Sequence, residues 1–231
     1  MTSSSTLTLE RPAPLRVAAH ALGNVLLGLA LGLAVYYGVT DLVSRLSQQQ
    51  LADSVSDSTA IVASDPERLL VQDGPALDFE GWDAEDRAYW EGLAPGEVFG
   101  RIVAPKIGLD SLVVKGHLTE HLKRGPGWID YTDLPGPTGN VGIAGHRTTY
   151  GAPFRRIDEF TPGDTIDMYS PFRRYRYVVA ETFQVRPNRV DVMDHTEAPV
   201  LTLSACDPPY SAAYRLIVRS ELVAVTRVQS E

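Results

Sequence analysis

From Val98 onward, hydrophobic and polar positions alternate in short runs. "VFGRIVAPKIG", "LDSLVVKG", "GNVGIAGH", "DTIDMYS", "RYRYVVAETFQV", "PVLTLSAC" and "YRLIVRSELVAV" are rich in Val, Ile, Tyr and Thr and are separated by Gly, Pro and Asp. Seven or eight such runs predict seven or eight strands, because branched and aromatic side chains fit a pleated, half-buried surface and the punctuating residues favour turns. A closed barrel or a sandwich follows. Helical turns are expected at "LTEHLKRG", at "APFRRIDEF" before the Pro162–Gly163 turn, and around "NRVDVMD". These roughly 135 residues suffice for one β core and are too few for two domains.

The N-terminal part has a different pattern. Residues 21–39, "ALGNVLLGLALGLAVYYGV", contain no charge and approach the roughly 20 apolar residues that span a bilayer as a helix. Arg11 and Arg16 precede the run and Asp41 follows it, which orients residues 1–20 to the cytoplasm and the rest outward. Tyr36 and Tyr37 suit the outer interface. No small-x-small cleavage site follows, so an uncleaved, single-pass anchor is expected in place of a removed signal peptide. Between Asp41 and Glu97 there are thirteen acidic and three basic residues, whereas residues 98–231 hold fifteen acidic and sixteen basic. The net charge of -8 therefore arises in residues 40–96, which read as an acidic stalk whose first stretch, "LVSRLSQQQLADSV", extends the helix. Trp82, Tyr89 and Trp90 offer a means of docking part of it onto the domain at 97–231.

The single cysteine excludes an internal disulfide and directs attention to its position. Cys206 ends the strand "VLTLSAC", where a sheet holds a thiol rigidly and the following "DPP" opens it to solvent. Sixty residues earlier, the small-residue strand "GNVGIAGH" delivers His146 at its end, and a nearby imidazole can exchange the proton that thiol chemistry needs. Nine residues later, Arg215 opens the returning strand of a hairpin, which brings a permanent positive charge over the thiol.

The small-residue strand ending in "GHR", the "TL-x-x-C" strand and the arginine of the next strand, in that order and behind an apolar anchor, resemble the sortase family. "GHRTTYGAPFRRIDEFTPGDTI" and the anchor-plus-stalk layout are most similar to its class E members from high-GC Gram-positive bacteria. The resemblance covers about residues 95–225. It implies an eight-stranded β-barrel with short helices, no cofactor or metal, and cysteine transpeptidation at the outer face of the cell membrane. His146, Cys206 and Arg215 are then the catalytic residues, with Thr202, Ser204 and Ala205 beside the bound peptide. In the implied reaction a Cys206 thiolate attacks the threonine of an LPxTG or LAxTG sorting signal on a surface protein. Protonated His146 serves the leaving glycine amine, and an amine of a peptidoglycan precursor opens the thioester. Two residues depart from or complicate this pattern. Ala205 stands where the family usually has threonine, and Asp207 sets a negative charge beside the thiol. A thiol hydrolase of surface proteins and a weakly catalytic, membrane-anchored peptide-binding module are the competing readings.

Other candidate sites are weaker. His117 and His121 have helical metal-ligand spacing without further ligands in pattern, and Asp191, Asp194 and Glu197 offer oxygen ligands for calcium. "RRYRY" at 173–177 interleaves bases and aromatics, yet an alternating strand accounts for it, and a near-neutral outer domain is a poor partner for nucleic acid.

Overall fold

The computed structural model describes residues 14–55, 69–71 and 76–230. The chain divides into two compact units, Met1–Val39 and Thr40–Glu231. The first holds most of helix α1, which runs over Pro14–Ser54, and between Arg16 and Ser54 that helix is long and apolar enough to cross a membrane.

The second unit is a closed eight-stranded barrel. Its strands are β2 (Val98–Ala104), β3 (Leu109–Lys115), β4 (Gly127–Trp128), β5 (Asn140–Ala144), β6 (Thr165–Tyr169), β7 (Arg173–Val185), β8 (Val200–Asp207) and β9 (Tyr214–Ser230). They are ordered β9-β7-β6-β2-β3-β4-β5-β8, and pairing of β8 with β9 closes the ring. A three-residue strand, β1 (Leu69–Val71), adds to the β9 edge. All seven runs read as strands form strands. Those not foreseen are β1 and β4, which have too few residues to show a period of two. Bulges between Arg176 and Tyr177 and between Val179 and Glu181 interrupt the long β7–β9 ladder, and such bulges supply the bend that closure needs. The interior holds Phe99, Ile102, Ile143, Ile166, Tyr175, Tyr177, Leu201, Leu203 and Val218, all buried. The expected helical turns appear as α3 (Thr119–Leu122) and as 3-10 turns at Ile157–Glu159 and Val190–Met193.

The segment whose charge reads as a stalk is placed differently wherever it is described. Residues 40–55 and 76–96 belong to the same compact unit as the barrel. Leu51 of α1 is buried against Val98, Leu112 and Val114. Beside it, Gln48 behaves like a rung of sheet: its Oε1 accepts from Leu112 N at 2.8 Å, and its Nε2 donates to the carbonyls of Leu112 at 3.1 Å and Arg124 at 2.8 Å. The acidic stretch is held by aromatics and by ions. Trp82 and Trp90 join the main core, with indole N–H groups donating to Pro135 O at 2.9 Å and Phe99 O at 2.8 Å. Trp90 sits in the middle of α2 (Ala88–Gly92) and begins a stack that runs through Phe99 to Trp128. Fully buried Arg173 donates to Glu85 at 2.7 Å, to Asp86, and to the carbonyls of Asp78 at 3.0 Å and Glu80. Burial pushes the Asp86 carboxyl above its ordinary 3.8 despite that arginine. The remaining stalk positions, 56–68 and 72–75, lie outside the described residues.

Candidate active site

Cys206, His146 and Arg215 come from β8 and the two strands that flank it, β5 and β9. β5 and β8 run parallel in register from Asn140↔Val200 to Ala144↔Ser204. The Gly145 amide then donates to Ser204 O at 3.1 Å, so His146 leaves β5 alongside the end of β8 that carries Cys206. On the other side of β8, Cys206 faces Arg215 across the antiparallel β8–β9 ladder. Cys206 is half-buried and free. The turn "AGH" is tight for a packing reason: a Cβ at Gly145 would come within 2.6 Å of the Phe154 ring, whose backbone N–H donates to His146 O at 3.0 Å.

His146 packs against Tyr150 in a tilted contact, at 5.3 Å between ring centroids and 36° between planes. Its Nε2 is buried and without a hydrogen-bond partner among the described residues. Burial, reinforced by the Lys123 charge, holds the imidazole below its ordinary 6.5, so the resting ring is neutral at pH 7. The sequence alone leaves the resting state of the Cys206–His146 pair open, because the enclosure of His146 and the position of Lys123 are tertiary facts. Arg215 is fixed by donation from Nη1 to Ala212 O at 3.2 Å and Tyr214 O at 3.1 Å.

Of the other expected site residues, only Ser204 opens outward. It lines a cavity of about 310 Å³ together with Arg215, Tyr131, Val190, Met193 and Ile217. Thr202 is fully buried and its Oγ1 donates to Asn140 Oδ1 at 2.7 Å, which closes it off from a peptide. Ala205, 2% exposed, points into the barrel core. The alternation Thr202, Ser204, Cys206 holds, but the 3-10 turn at 190–193 covers the first of these, and Asn140 ties that turn down through Nδ2 to Val192 O at 3.0 Å and Asp194 O at 3.1 Å. The rim of the cavity is apolar and open, with Tyr131 61% and Val190 59% exposed.

Asp207 does not stand uncompensated beside the thiol. Arg147, the residue after His146, forms an ion pair with it, and Gln184 Nε2 donates to it at 2.5 Å. Neither contact was foreseen, although "HR" and "CD" place opposite charges immediately after the two reactive residues. The weaker candidates resolve otherwise. His117 pairs with Asp130 at 3.0 Å, His121 lies 3.8 Å from Glu120, and Asp191 is taken up by Arg189 at 2.7 Å. Among the described residues no group of three or more His, Cys, Asp or Glu side chains is arranged to hold a metal ion. In "RRYRY", Tyr175, Tyr177 and Arg173 point inward and are fully buried, and Arg176 is paired with Asp167 at 2.7 Å.

A closed barrel with a cysteine, a histidine and an arginine on neighbouring strand ends is the arrangement of a cysteine acyl-transfer enzyme. The sortase domain model matches residues 102–223, and the chain belongs to the sortase family. It is 31% identical over 248 residues to sortase SrtE2 of Streptomyces coelicolor, covering 96% of this chain and 89% of that protein. Sortase SrtE1 of the same organism is 36% identical over 94 residues, and there the match spans 37% of this chain and only 27% of the relative. The crystal structure of S. coelicolor sortase E1 with a tripeptide in its active site superposes with a TM-score of 0.55 at 28% identity, covering 59% of this chain and 94% of that one. These similarities place the chain with the class E sortases.

Proposed function

We propose that the protein is a membrane-anchored cysteine transpeptidase that cleaves an LPxTG- or LAxTG-like sorting signal between Thr and Gly and joins the surface protein to a cell-wall amine. The observation that carries this reading is the pairing of Cys206 with Arg215 across β8–β9, with His146 emerging from the parallel neighbour β5. Neutral His146 takes the Cys206 proton as Sγ bonds to the threonine carbonyl carbon, and the Arg215 guanidinium donates to the resulting oxyanion. The intermediate collapses by breaking the C–N bond, and the imidazolium returns the proton to the glycine nitrogen. An acceptor amine then attacks the thioester and loses a proton to His146. Cys206 leaves and is reprotonated. The apolar-rimmed cavity beside Ser204 and Arg215 supplies a surface for the apolar part of the signal. The related sortase E1 with a tripeptide in its active site supports a peptide substrate. The apolar helix between Arg16 and Ser54 supports single-pass anchoring, with the barrel outside the cell.

The test incubates the protein with LxxTG peptides and a glycine-type amine and reads products by mass spectrometry. An acyl adduct on Cys206 and a product that grows with amine concentration are expected; cleavage insensitive to amine makes it a hydrolase, and no adduct with any peptide makes it a binding module. Arg215→Ala is expected to lower kcat about 100- to 1000-fold, the usual loss for one oxyanion donor, with the melting transition retained. Turnover within threefold of the parent would remove Arg215 from the mechanism.

A further inference from the structure

Arg147 is the most enclosed cation near the site, 5% exposed, and it follows His146 directly. Its Nη2 lies 2.7 Å from Asp158 Oδ1 in the Ile157–Glu159 turn, and its Nη1 forms an ion pair with Asp207, the residue after Cys206. Asp207 also accepts from Gln184 on β7. One guanidinium therefore joins the residue following the histidine to the residue following the thiol, and braces both against a third segment. A buried arginine paired with a largely enclosed carboxylate is costly to assemble, because both groups lose water even though Asp158 stays exposed. Stability alone would be served as well by apolar packing.

We propose that Arg147 is a positioning residue: through Asp207 it fixes the end of β8 against His146, and by neutralising the Asp207 carboxylate it keeps a negative charge from suppressing the Cys206 thiolate. The geometry suits both tasks, since Arg147 reaches Asp207 and Asp158 with different nitrogens of one rigid fork. Lysine, a single point donor, cannot hold both. The inference rests on Cys206 and His146 being the reactive pair, but not on any particular peptide substrate.

The chain carries one cysteine, so iodoacetamide alkylation reports Cys206 alone and needs no sorting peptide. At pH 7, Arg147→Met is expected to alkylate about tenfold more slowly than the parent, since it leaves a like-signed charge beside the developing thiolate. Adding Asp207→Asn should bring the rate back to within about threefold. Asp207→Asn alone leaves the guanidinium unopposed on that side and is expected to alkylate several-fold faster, a direction that mere loss of a structural ion pair does not produce. In peptide assays Arg147→Lys should lower kcat more than it raises KM. The proposal is overturned if a folded Arg147→Met alkylates at the parental rate, or if Asp207→Asn alone fails to accelerate alkylation. The second outcome decides the matter even where Arg147→Met does not fold. If the alkylation pattern holds but no peptide is turned over, the transpeptidase reading fails and this one stands.

Discussion

At the scale of single residues, the role proposed for His146 makes its protonation the control on when the site works. A base held below 6.5 by burial and by Lys123 is uncharged through the neutral range, so kcat/KM should stay high as pH falls past 6.5 and drop only as the ring protonates. Lys123→Ala removes the repulsion and is expected to raise the pH at which activity falls, while Lys123→Glu raises it further. A pH–rate profile unchanged in both variants would show that Lys123 does not act on the histidine. The same depression links to folding with a definite sign. The unfolded chain binds a proton more readily, so the His146 contribution to stability is complete above 6.5 and is lost as pH falls below it. Ala205 belongs to this scale as well. Its side chain faces the core, so the threonine usual in the family would put an extra methyl and a hydroxyl against packed neighbours, not against a peptide. Ala205→Thr is expected to cost about 1 to 3 kcal/mol in chemical denaturation and to leave kcat/KM within threefold. A large gain in turnover would mean that position 205 reaches the substrate.

At the scale of elements, residues 76–96 form an integral layer, held by Trp82 and Trp90 and by Arg173 and Arg227. Arg173→Met leaves Asp86 buried without its cation, and breaking a buried pair from one side costs about 3 to 5 kcal/mol. The variant should melt much earlier, and Arg173→Met with Asp86→Leu should recover part of the loss; a single variant as stable as the parent would show the segment to be an ornament. This layer also marks the limit of what a local reading of sequence can reach. The seven long strands were legible because alternation and turn residues are local properties. The docking of Trp82 and Trp90, the Arg173–Asp86 pair and the Arg147–Asp207 pair join positions 60 or more residues apart, or depend on which face is covered. Charge counting sees thirteen acids and infers a solvated spacer. It cannot see that two of them, Glu85 and Asp86, meet a buried guanidinium. Thr202 shows the same limit within a single strand, since alternation assigned its face correctly but could not show that the 190–193 turn would cover it.

At the scale of the whole molecule, β9 has the largest part in closure. It pairs with β7 over its length and with β8 opposite Cys206. A chain ending before Tyr214 keeps all of β2 to β8 yet exposes two unpaired edges, and is expected to aggregate and to leave Cys206 without Arg215. Light scattering and alkylation of such a truncated protein would check this, and a soluble monomer would contradict it.

The order of the strands along the chain also orders events in time. While the chain emerges from the ribosome, the strand bearing the thiol and the one bearing the histidine can pair first, but the positive charge opposite the thiol arrives with the strand that seals the barrel. On the roles proposed above, a chain still without β9 lacks its oxyanion donor, so that closing the barrel and completing the site become the same event.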